Sequence, residues 1–460
     1  MKWNNLSLHK IKWICSFIVV LLPFFCSISN IFQKYLAVTL WAIMMWMFEL
    51  LPEEIVAIML PGLYILFDIT NYATAFSAWT TSTPWITLGG LMIGGMIVKS
   101  GLVLRIAYKS LLLTKGSLKG IVWGIVLTCT IFTPLIPSIM AKVALLVPVV
   151  IGICKVLKVK EKSATASALM LVVFFALWSP KMAFMTASTD SILTAGILEQ
   201  YLGVKITWLA WAKDMFIPGI LWMLVSIPLI YILRPQHLNL NKEYLELEYR
   251  KLGKITIDEK KTVTLITALL ILLIFSSWHK LPEGVLMLGI GCLGFFPGIG
   301  LLKSDDFSKI QFKVVFFLAG AVTIGAVASS IGITESVINF VQPYFEQMNS
   351  YELVMSIYIF SILANFLLNP LALIATLMIP IANLCSNLGY SATIGGYSMI
   401  MGFNQALFPY EIAPLMLVYG FGYLKLTHLI KVMVFRVVAG IIFMTVVTYP
   451  YWLYIGLLDK

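Results

Sequence analysis

Leu51-Pro52-Glu53 recurs as Leu281-Pro282-Glu283, about 230 residues further along the chain. Two further landmarks follow each copy in the same order and at nearly the same spacing. Gly89, Gly94 and Gly101 recur as Gly320, Gly325 and Gly332, and the stretch 137–148 recurs as 369–380. Ordered repetition of this kind predicts duplicated halves, which in a very apolar chain are typical of transporters.

Composition places the chain in a membrane. Hydrophobic residues make up 60% of it and charged residues 12%, whereas soluble domains are about half apolar and about a quarter charged. Many apolar runs reach the roughly 20 residues needed to cross a bilayer. The net charge of +11 is dispersed between these runs, which argues against nucleic-acid binding. The six cysteines stand singly, so we expect no metal site.

The apolar runs predict an all-α polytopic membrane protein with about eleven transmembrane helices and two re-entrant hairpins. The hairpins are the segments 120–157 and 352–388, which are too long for one helix and are interrupted by Pro, Asn or Ser. Small residues at Gly89, Gly90, Gly94 and Gly95 predict close helix packing. The predicted crossings are 13–29, 35–51, 54–69, 84–113, 163–198, 207–233, 262–278, 282–300, 312–341, 391–424 and 429–457.

Lys and Arg concentrate in one set of loops, which predicts their side to be cytoplasmic. The N-terminus is then cytoplasmic and the C-terminus external, in a plasma (inner) membrane. The two halves are inverted repeats: residues 1–233 carry the inward hairpin, and residues 262–460 carry the outward one. A cytoplasmic linker, 234–261, joins them. The basic residues that set this orientation include Lys10, Lys12, Lys109, Lys115, Lys119, Lys303, Lys309 and Lys313.

In inverted-repeat carriers the binding site forms near mid-membrane, where broken helices direct unpaired backbone groups at a ligand. The spans 163–198 and 391–424 are interrupted, as are both hairpins. Hydroxyls, amides and helix N-termini suit a carboxylate. Five candidates either bind substrate or merely satisfy the broken backbone: Thr186, Ser188, Thr189, Asn369 and Asn404. No catalytic triad or nucleotide fingerprint is present, so we do not expect an enzyme.

Four motifs stand out along the chain: Trp46…Glu49-Leu50-Leu51-Pro52, Gly89-Gly90…Lys99-Ser100-Gly101-Leu102, Phe184-Met185-Thr186-Ala187 and Pro409-Tyr410…Ala413-Pro414. Together they resemble a known family, the divalent anion:sodium symporters that carry di- and tricarboxylates. The last two motifs are more similar to its exchanger-type dicarboxylate and citrate branch. The resemblance implies an elevator-like carrier, a homodimer, and hairpins whose Ser-Asn-Thr motifs bind sodium and substrate.

The chain departs from the family at the hairpin tips. The first Ser-Asn-Thr position reads Ser138-Ile139-Met140, so only Ser138 remains as a candidate ligand. The second reads Pro370-Leu371-Ala372, with Asn369 one residue early. Apolar side chains supply no oxygen ligands, so sodium coupling is in doubt at both positions. No other cofactor is expected.

Three ionisable residues near the breaks are candidates for coupling: Lys142, Lys181 and Glu411. Lys142 either extends its amine to a surface or acts at depth, where ionisable groups are usually functional. In the second case its ammonium replaces the missing sodium charge and pairs with the substrate. Lys181 and Glu411 form either a structural ion pair or part of the coupling site, and Glu411 pairs with Lys142 or Lys181. Asp190 is expected to cap a helix.

These features together predict a secondary active transporter that moves small organic anions, di- or tricarboxylates, by alternating access. The partners it requires are a small anionic substrate and the lipid bilayer. Two alternatives remain open. One is an inorganic-anion carrier on a related fold, and the other is a transport-defective sensor.

Overall fold

The computed structural model of this chain describes residues 2–48, 50–114, 117–203, 205–238 and 242–459. These residues form helices and no strands. Glu49 of the family-like motif, Lys115 of the basic loops and residues 239–241 of the predicted linker lie outside the described residues.

Most helices overlap the predicted segments, but their ends differ: the first helix spans Lys2–Leu21, where the crossing was predicted over 13–29. The first half contains α1 (Lys2–Leu21), α2 (Asn30–Phe48), α3 (Glu53–Leu66), α4 (Tyr72–Ala75), α5 (Ser82–Lys99), α6 (Leu102–Leu113), α7 (Leu118–Phe132), α8 (Ile139–Val156), α9 (Ala164–Trp178), α10 (Thr189–Leu202) and α11 (Trp208–Ser226). The linker contains α12 (Lys242–Lys251). The second half contains α13 (Ile257–Ile274), α14 (Ser276–His279), α15 (Glu283–Leu293), α16 (Ser304–Phe307), α17 (Phe312–Ser330), α18 (Ile333–Val341), α19 (Ser350–Ala364), α20 (Pro370–Asn387), α21 (Ala392–Phe403), α22 (Ala413–Gly420), α23 (Leu426–Phe443) and α24 (Tyr449–Tyr454).

Length and hydropathy confirm an all-α polytopic membrane protein. Among the described residues, 7 helices are long and apolar enough to cross a membrane, or up to 8 if the bent pair α5–α6 is one span. Other predicted crossings, such as those of α3 and α15, contain helices too short to meet that test. Two of the 7, α8 and α20, lie in the segments predicted as hairpins, so five of these helices correspond to predicted crossings.

Two crossings predicted as single helices are in fact divided. The segment 84–113 consists of α5 and α6, bent by 65° at the junction, where Gly101 has φ +81°. Its repeat, 312–341, consists of α17 and α18, and Gly332 between them has φ +78°. Glycine adopts this left-handed conformation at little steric cost. The sequence landmarks Gly101 and Gly332 therefore mark helix ends.

Both hairpins consist of two helices separated by a short non-helical segment. In the first, α7 and α8 flank residues 133–138, and the Ser138 hydroxyl caps α8 by accepting from the Ala141 amide at 3.2 Å. In the second, α19 and α20 flank residues 365–369. The side-chain oxygen (Oδ1) of Asn369 caps α20 by accepting from the Ala372 amide at 2.9 Å. The capping residue of each hairpin satisfies an amide that the helix start leaves unpaired.

The two halves pack against each other reciprocally. Helix α5 packs on α15, and its repeat α17 packs on α3, the repeat of α15. A Cβ on Gly89 would lie 2.3 Å from the Met287 carbonyl carbon, and one on Gly320 would lie 2.2 Å from the Ala57 carbonyl oxygen. The predicted close packing is thus confirmed for Gly89, Gly90 and Gly320, whereas a Cβ on Gly94 or Gly95 would make ordinary contacts at 3.4 and 3.7 Å. Reciprocal contacts of this kind are what a two-fold relation between the halves produces.

The hairpins repeat this reciprocity. Both arms of the first hairpin pack on α9, and both arms of the second pack on α21. Helix α8 also packs on α22, while its repeat α20 packs on α10. Each hairpin therefore contacts the helix that follows the break of the other half, which brings the four interrupted segments together.

A buried ion pair attaches the linker region to the first half. The Arg105 guanidinium on α6 donates to the Glu259 carboxylate on α13 at 2.5 Å. It also donates to the backbone carbonyls of Leu252, Gly253 and Lys254 at 3.0–3.2 Å. Both side chains of the pair are buried. The end of the predicted linker is thereby held against the helix that follows the Gly101 bend.

Candidate functional site

A cavity of about 710 Å³ lies where the second hairpin tip meets the break between α21 and α22. The first hairpin contributes Met140 to the same lining. Small-molecule sites typically enclose about 300–1,000 Å³, so a di- or tricarboxylate fits this volume. The lining comprises Trp46, Met47, Glu53, Met140, residues 365–369, Tyr410, Glu411, Ala413, Met416, Leu417 and Gly420.

Asn369, one of the predicted substrate-binding residues, lines this cavity. Besides capping α20, it donates through its amide nitrogen to the Glu53 carboxylate at 2.9 Å. Helix α20 therefore begins at the cavity, with its positive dipole end towards the space a ligand would occupy. The contact with Glu53 joins the hairpin tip to α3.

Glu411 also lines the cavity, and its buried carboxylate is bonded to neutral groups. One oxygen accepts from the amides of Leu407 and Phe408 at 3.1 and 2.8 Å, and the other accepts from the Asn365 side chain at 3.4 Å. Ion pairs within the described ranges do not include Glu411. The expected pairing with Lys142 or Lys181 is therefore not formed.

Lys142 is buried beside the cavity rather than within its lining. The residue is 1% exposed, so its amine does not extend to a surface. The ammonium donates to the Ala187 carbonyl oxygen at 3.2 Å. Thr186, which precedes Ala187 in sequence, donates through its hydroxyl to the Pro134 carbonyl at 2.9 Å. The same hydroxyl accepts from the Trp208 indole at 3.1 Å. These bonds fasten the first hairpin to the break between α9 and α10.

The remaining candidates of the first half satisfy local groups. Ser188 caps α10 by accepting from the Ser191 amide at 3.3 Å, and Thr189 donates to the Asp190 carboxylate at 3.4 Å. The expectation that Asp190 caps the helix is wrong, because Ser188 is the cap and Asp190 forms an ion pair with Lys181. The Lys181 ammonium also lies 3.3 Å from the Trp178 ring centroid, so burial of this cation is compensated on two sides.

Ser138, the last candidate of the first hairpin, lies at a different cavity of about 410 Å³. That cavity also contacts the loop before α17, where Lys99 and Lys309 flank Asp306. The hydrogen bond from Lys99 lowers the pKa of Asp306 to about 2. The 410 Å³ cavity is therefore bordered by both basic and acidic side chains. The 710 Å³ cavity is bordered instead by the carboxylates of Glu53 and Glu411.

Comparison with known proteins decides the family. Residues 4–458 match the family model described as the sodium:sulfate symporter transmembrane region. The chain belongs to the sodium:sulfate symporter family. The resemblance to divalent anion:sodium symporters is thereby confirmed over nearly the whole length.

Individual relatives of this family are distant in sequence. The chain is 27% identical over 250 residues to dicarboxylate transporter 1, chloroplastic, of Spinacia oleracea. This alignment covers 53% of the present chain and 44% of that protein. It is 21% identical over 342 residues to the inner membrane protein YbhI of Escherichia coli (strain K12), covering 71% and 72%. It is 23% identical over 484 aligned positions to the L-tartrate/succinate antiporter of the same strain, covering 94% and 96%. The matches to the first curated relatives span about half of those proteins or less.

The sodium ion in the family's name is not matched by the side chains at the hairpin tips. Apolar side chains without oxygen stand at Ile139, Met140, Leu371 and Ala372. The side-chain oxygens of Ser138 and Asn369 each accept a hydrogen bond from a helix amide. Unwound backbone carbonyls are the usual partners of coupling sodium ions in broken helices. At the first break the Ala187 carbonyl already accepts from Lys142. The side chains at the two Ser-Asn-Thr positions therefore offer a sodium ion few oxygen ligands.

The sequence analysis did not single out one buried basic residue, Arg436. Arg436 on α23 is fully buried and donates to both oxygens of Asn404, at 2.7 and 2.6 Å. Asn404 also exchanges hydrogen bonds with Trp178 at 2.8 and 2.9 Å and accepts from Trp222 at 3.0 Å. Asn404 thus belongs to this network rather than to the cavity lining. The available signal was an arginine inside the apolar run 429–457, because such residues are usually functional.

Proposed function

We propose that this chain is a secondary carrier that exchanges small organic anions, di- or tricarboxylates, across a plasma (inner) membrane by alternating access. The observation that carries the proposal is the cavity of about 710 Å³ between the two hairpins. Its size suits such anions, and broken helices begin at it. A relative that is aligned over 94% of this chain is an L-tartrate/succinate antiporter, which supports this substrate class.

The charge of the cavity constrains how an anion binds. Its described lining contains Glu53 and Glu411 and no lysine or arginine. A dicarboxylate would be repelled unless the helix N-termini compensate or a carboxylate is neutral. We propose that α20 and α22 supply the positive dipole ends, and that Glu411 is protonated or displaced when the substrate binds. Exchange of one anion for another then needs no sodium ion.

Lys142 is proposed to act in the same step. Its ammonium joins the first hairpin to Ala187, and Met140 on the same turn reaches the cavity. A small rotation of the hairpin brings the ammonium towards a carboxylate in the cavity, where it replaces the charge of a sodium ion. Asn369 is proposed to bind the substrate once its contact with Glu53 opens.

The test is exchange in proteoliposomes loaded with unlabelled succinate, with labelled succinate outside and sodium and proton gradients imposed separately. We expect exchange without sodium, and competition by tartrate and malate. The family description names sulfate, so sulfate is included as a competitor. Exclusive inhibition by sulfate would favour an inorganic-anion carrier, and absence of flux with every anion would refute the proposal.

Lys142→Met tests the role of the ammonium. The ion pairs of the described residues do not include Lys142, so its replacement by Met strands no buried charge. We expect a folded protein that does not exchange succinate. Lys155→Met is the matched control, because Lys155 lies on the same helix but is exposed. Normal exchange by Lys142→Met would exclude a role for this residue.

The proposal extends to the assembly and the topology. We propose a homodimer with a cytoplasmic N-terminus and an external C-terminus, as the loop charges favour. Accessibility of single cysteines introduced near each terminus tests the orientation, and light scattering of the detergent-solubilised protein tests the dimer.

A further inference from the structure

The guanidinium of Arg436 lies where two helices that are equivalent by the repeat both end. Helix α9 ends with Ser179 as its C-cap, and helix α21 ends with Asn404 as its C-cap. The Arg436 Nη2 atom donates to the Ser179 hydroxyl at 3.1 Å, and its Nη1 atom donates to the Asn404 backbone carbonyl at 2.7 Å. A helix C-terminus carries a partial negative charge that favours a nearby cation. Two such ends converge on this one side chain.

Every polar partner of this guanidinium is a neutral oxygen. The side-chain oxygens of Asn404 and Gln405 accept at 2.6 and 3.2 Å, in addition to the Ser179 hydroxyl and the Asn404 carbonyl. The ion pairs of the described residues include no carboxylate bound to Arg436. Backbone carbonyl, amide and hydroxyl oxygens at helix breaks are the ligands that carriers present to an alkali cation.

Aromatic rings enclose the cation from other directions. The Arg436 Cζ atom lies 4.9 Å from the Trp222 ring centroid and 5.2 Å from the Phe175 ring centroid. Both distances fall within cation–π range. Nε is buried without a partner among the described residues. A buried cation without a carboxylate partner is costly, so a purely structural cross-link would be served better by a neutral residue.

We infer that Arg436 is a fixed cation that fills a site formed by the two convergent helix ends, and so holds both breaks together without a mobile alkali ion. The inference rests on the proposed carrier function and deepens it, since it gives a structural reason for transport without sodium. Arg436 is therefore a positioning residue: it acts on the breaks and does not touch the cavity of about 710 Å³, whose lining does not include it among the described residues.

The experiment compares wild type with Arg436→Ala in the succinate exchange assay, in choline, sodium or guanidinium chloride at equal ionic strength. Wild type is expected to exchange equally in choline and sodium. Because Arg436→Ala removes the hydrogen bonds to both helix ends, the variant should lose about tenfold or more of its exchange in choline. Added guanidinium, and to a lesser extent sodium, should restore it by occupying the vacated site. A merely structural role predicts loss without rescue.

Thermal unfolding in detergent is measured in the same three salts. Guanidinium weakens the folded state of any protein to some extent, so each salt is judged by the change it causes relative to choline. That change should be more stabilising, or less destabilising, for Arg436→Ala than for the wild type. This arm separates the two proposals: if the wild type exchanges no anion, the proposed function fails, while the cation-dependent stability of the variant still tests Arg436. The double variant Arg105→Met/Glu259→Met is the control for loss of a buried arginine, because it leaves no carboxylate that an added cation could bind, and its exchange should not depend on the cation.

Arg436→Lys keeps the charge and covers the case in which the alanine variant does not fold. We expect it to exchange succinate in choline without an added cation. The inference is overturned if Arg436→Ala folds and behaves identically in all three salts, if the lysine variant behaves like the alanine variant, or if sodium stimulates or stabilises the wild type.

Discussion

A methyl group added at Gly320 tests the reciprocal packing that joins the two halves. In Gly320→Ala the new Cβ would lie 2.2 Å from the carbonyl oxygen of Ala57. It would also lie 2.6 Å from the carbonyl carbon and 2.7 Å from the Cα atom of Ala57. Close carbon–oxygen contacts in proteins are about 3.3–3.6 Å, so α17 and α3 must separate by about 1 Å. The obstacle is backbone, which cannot move aside as a flexible side chain would.

The magnitude follows from two opposed effects. Overpacking of a well-packed interior costs about 1–3 kcal/mol, and backbone against backbone should lie at the upper end of that range. Alanine has a higher helix propensity than glycine by about 1 kcal/mol, which offsets part of the cost. We therefore expect Gly320→Ala to lose about 1–2 kcal/mol of stability. Gly89→Ala should lose a similar amount, since its Cβ would lie 2.3 Å from the Met287 backbone.

The controls come from the partner helices of the same two contacts. Gly62 on α3 and Gly289 on α15 have no heavy atom within 4 Å of an added Cβ. Gly62→Ala and Gly289→Ala should be neutral or stabilised by up to about 1 kcal/mol. The assay is thermal unfolding of the detergent-solubilised variants followed by size-exclusion chromatography. Equal stability of all four variants would refute the close approach of the helices.

Three further predictions concern the site and its surroundings. Glu53→Ala removes the acceptor of the Asn369 amide, so the second hairpin tip should become more accessible to protease or to a cysteine reagent; unchanged accessibility would contradict a closing role for this contact. Glu411→Gln keeps an oxygen for the same backbone amides and should preserve the fold while removing any dependence of succinate exchange on a proton gradient, which a flux assay at two external pH values measures. Arg105→Met leaves the Glu259 carboxylate buried and unpaired, which typically costs about 3–5 kcal/mol; the double variant Arg105→Met/Glu259→Met should recover most of that stability in thermal unfolding, and failure to recover would place the effect elsewhere.

Much of the fold could be predicted because its signals are local. Apolar runs, glycines with positive φ and prolines act on their own segment of chain, so a helix break was predicted correctly within each of the segments 120–157, 163–198, 352–388 and 391–424. The division of 84–113 and 312–341 was missed, although Gly101 and Gly332 were recognised as landmarks. An apolar run shows where a helix can form, but it does not show where that helix turns.

The site was predicted less completely, since its partners are distant in sequence. Asn369 and Glu411 do line one cavity, whereas Asn404 lies in a network with Arg436, and Ser138 borders a different cavity. The Trp178–Asn404 bonds join residues that are 226 positions apart, and the bond from Arg436 to Ser179 spans 257. No periodicity within a single span encodes such pairs.

The sequence by itself determined that the chain is an all-α membrane protein of two repeated halves, each with a broken span and a hairpin. Hydropathy and backbone propensity depend on neighbouring residues, so these features follow without knowledge of the packing. Only the tertiary structure decided which buried charge meets which oxygen: Lys142 on Ala187, Lys181 on Asp190, and Arg436 between the two helix ends. The cost of burying a charge depends on every group around it, and that environment exists only once the halves have packed together.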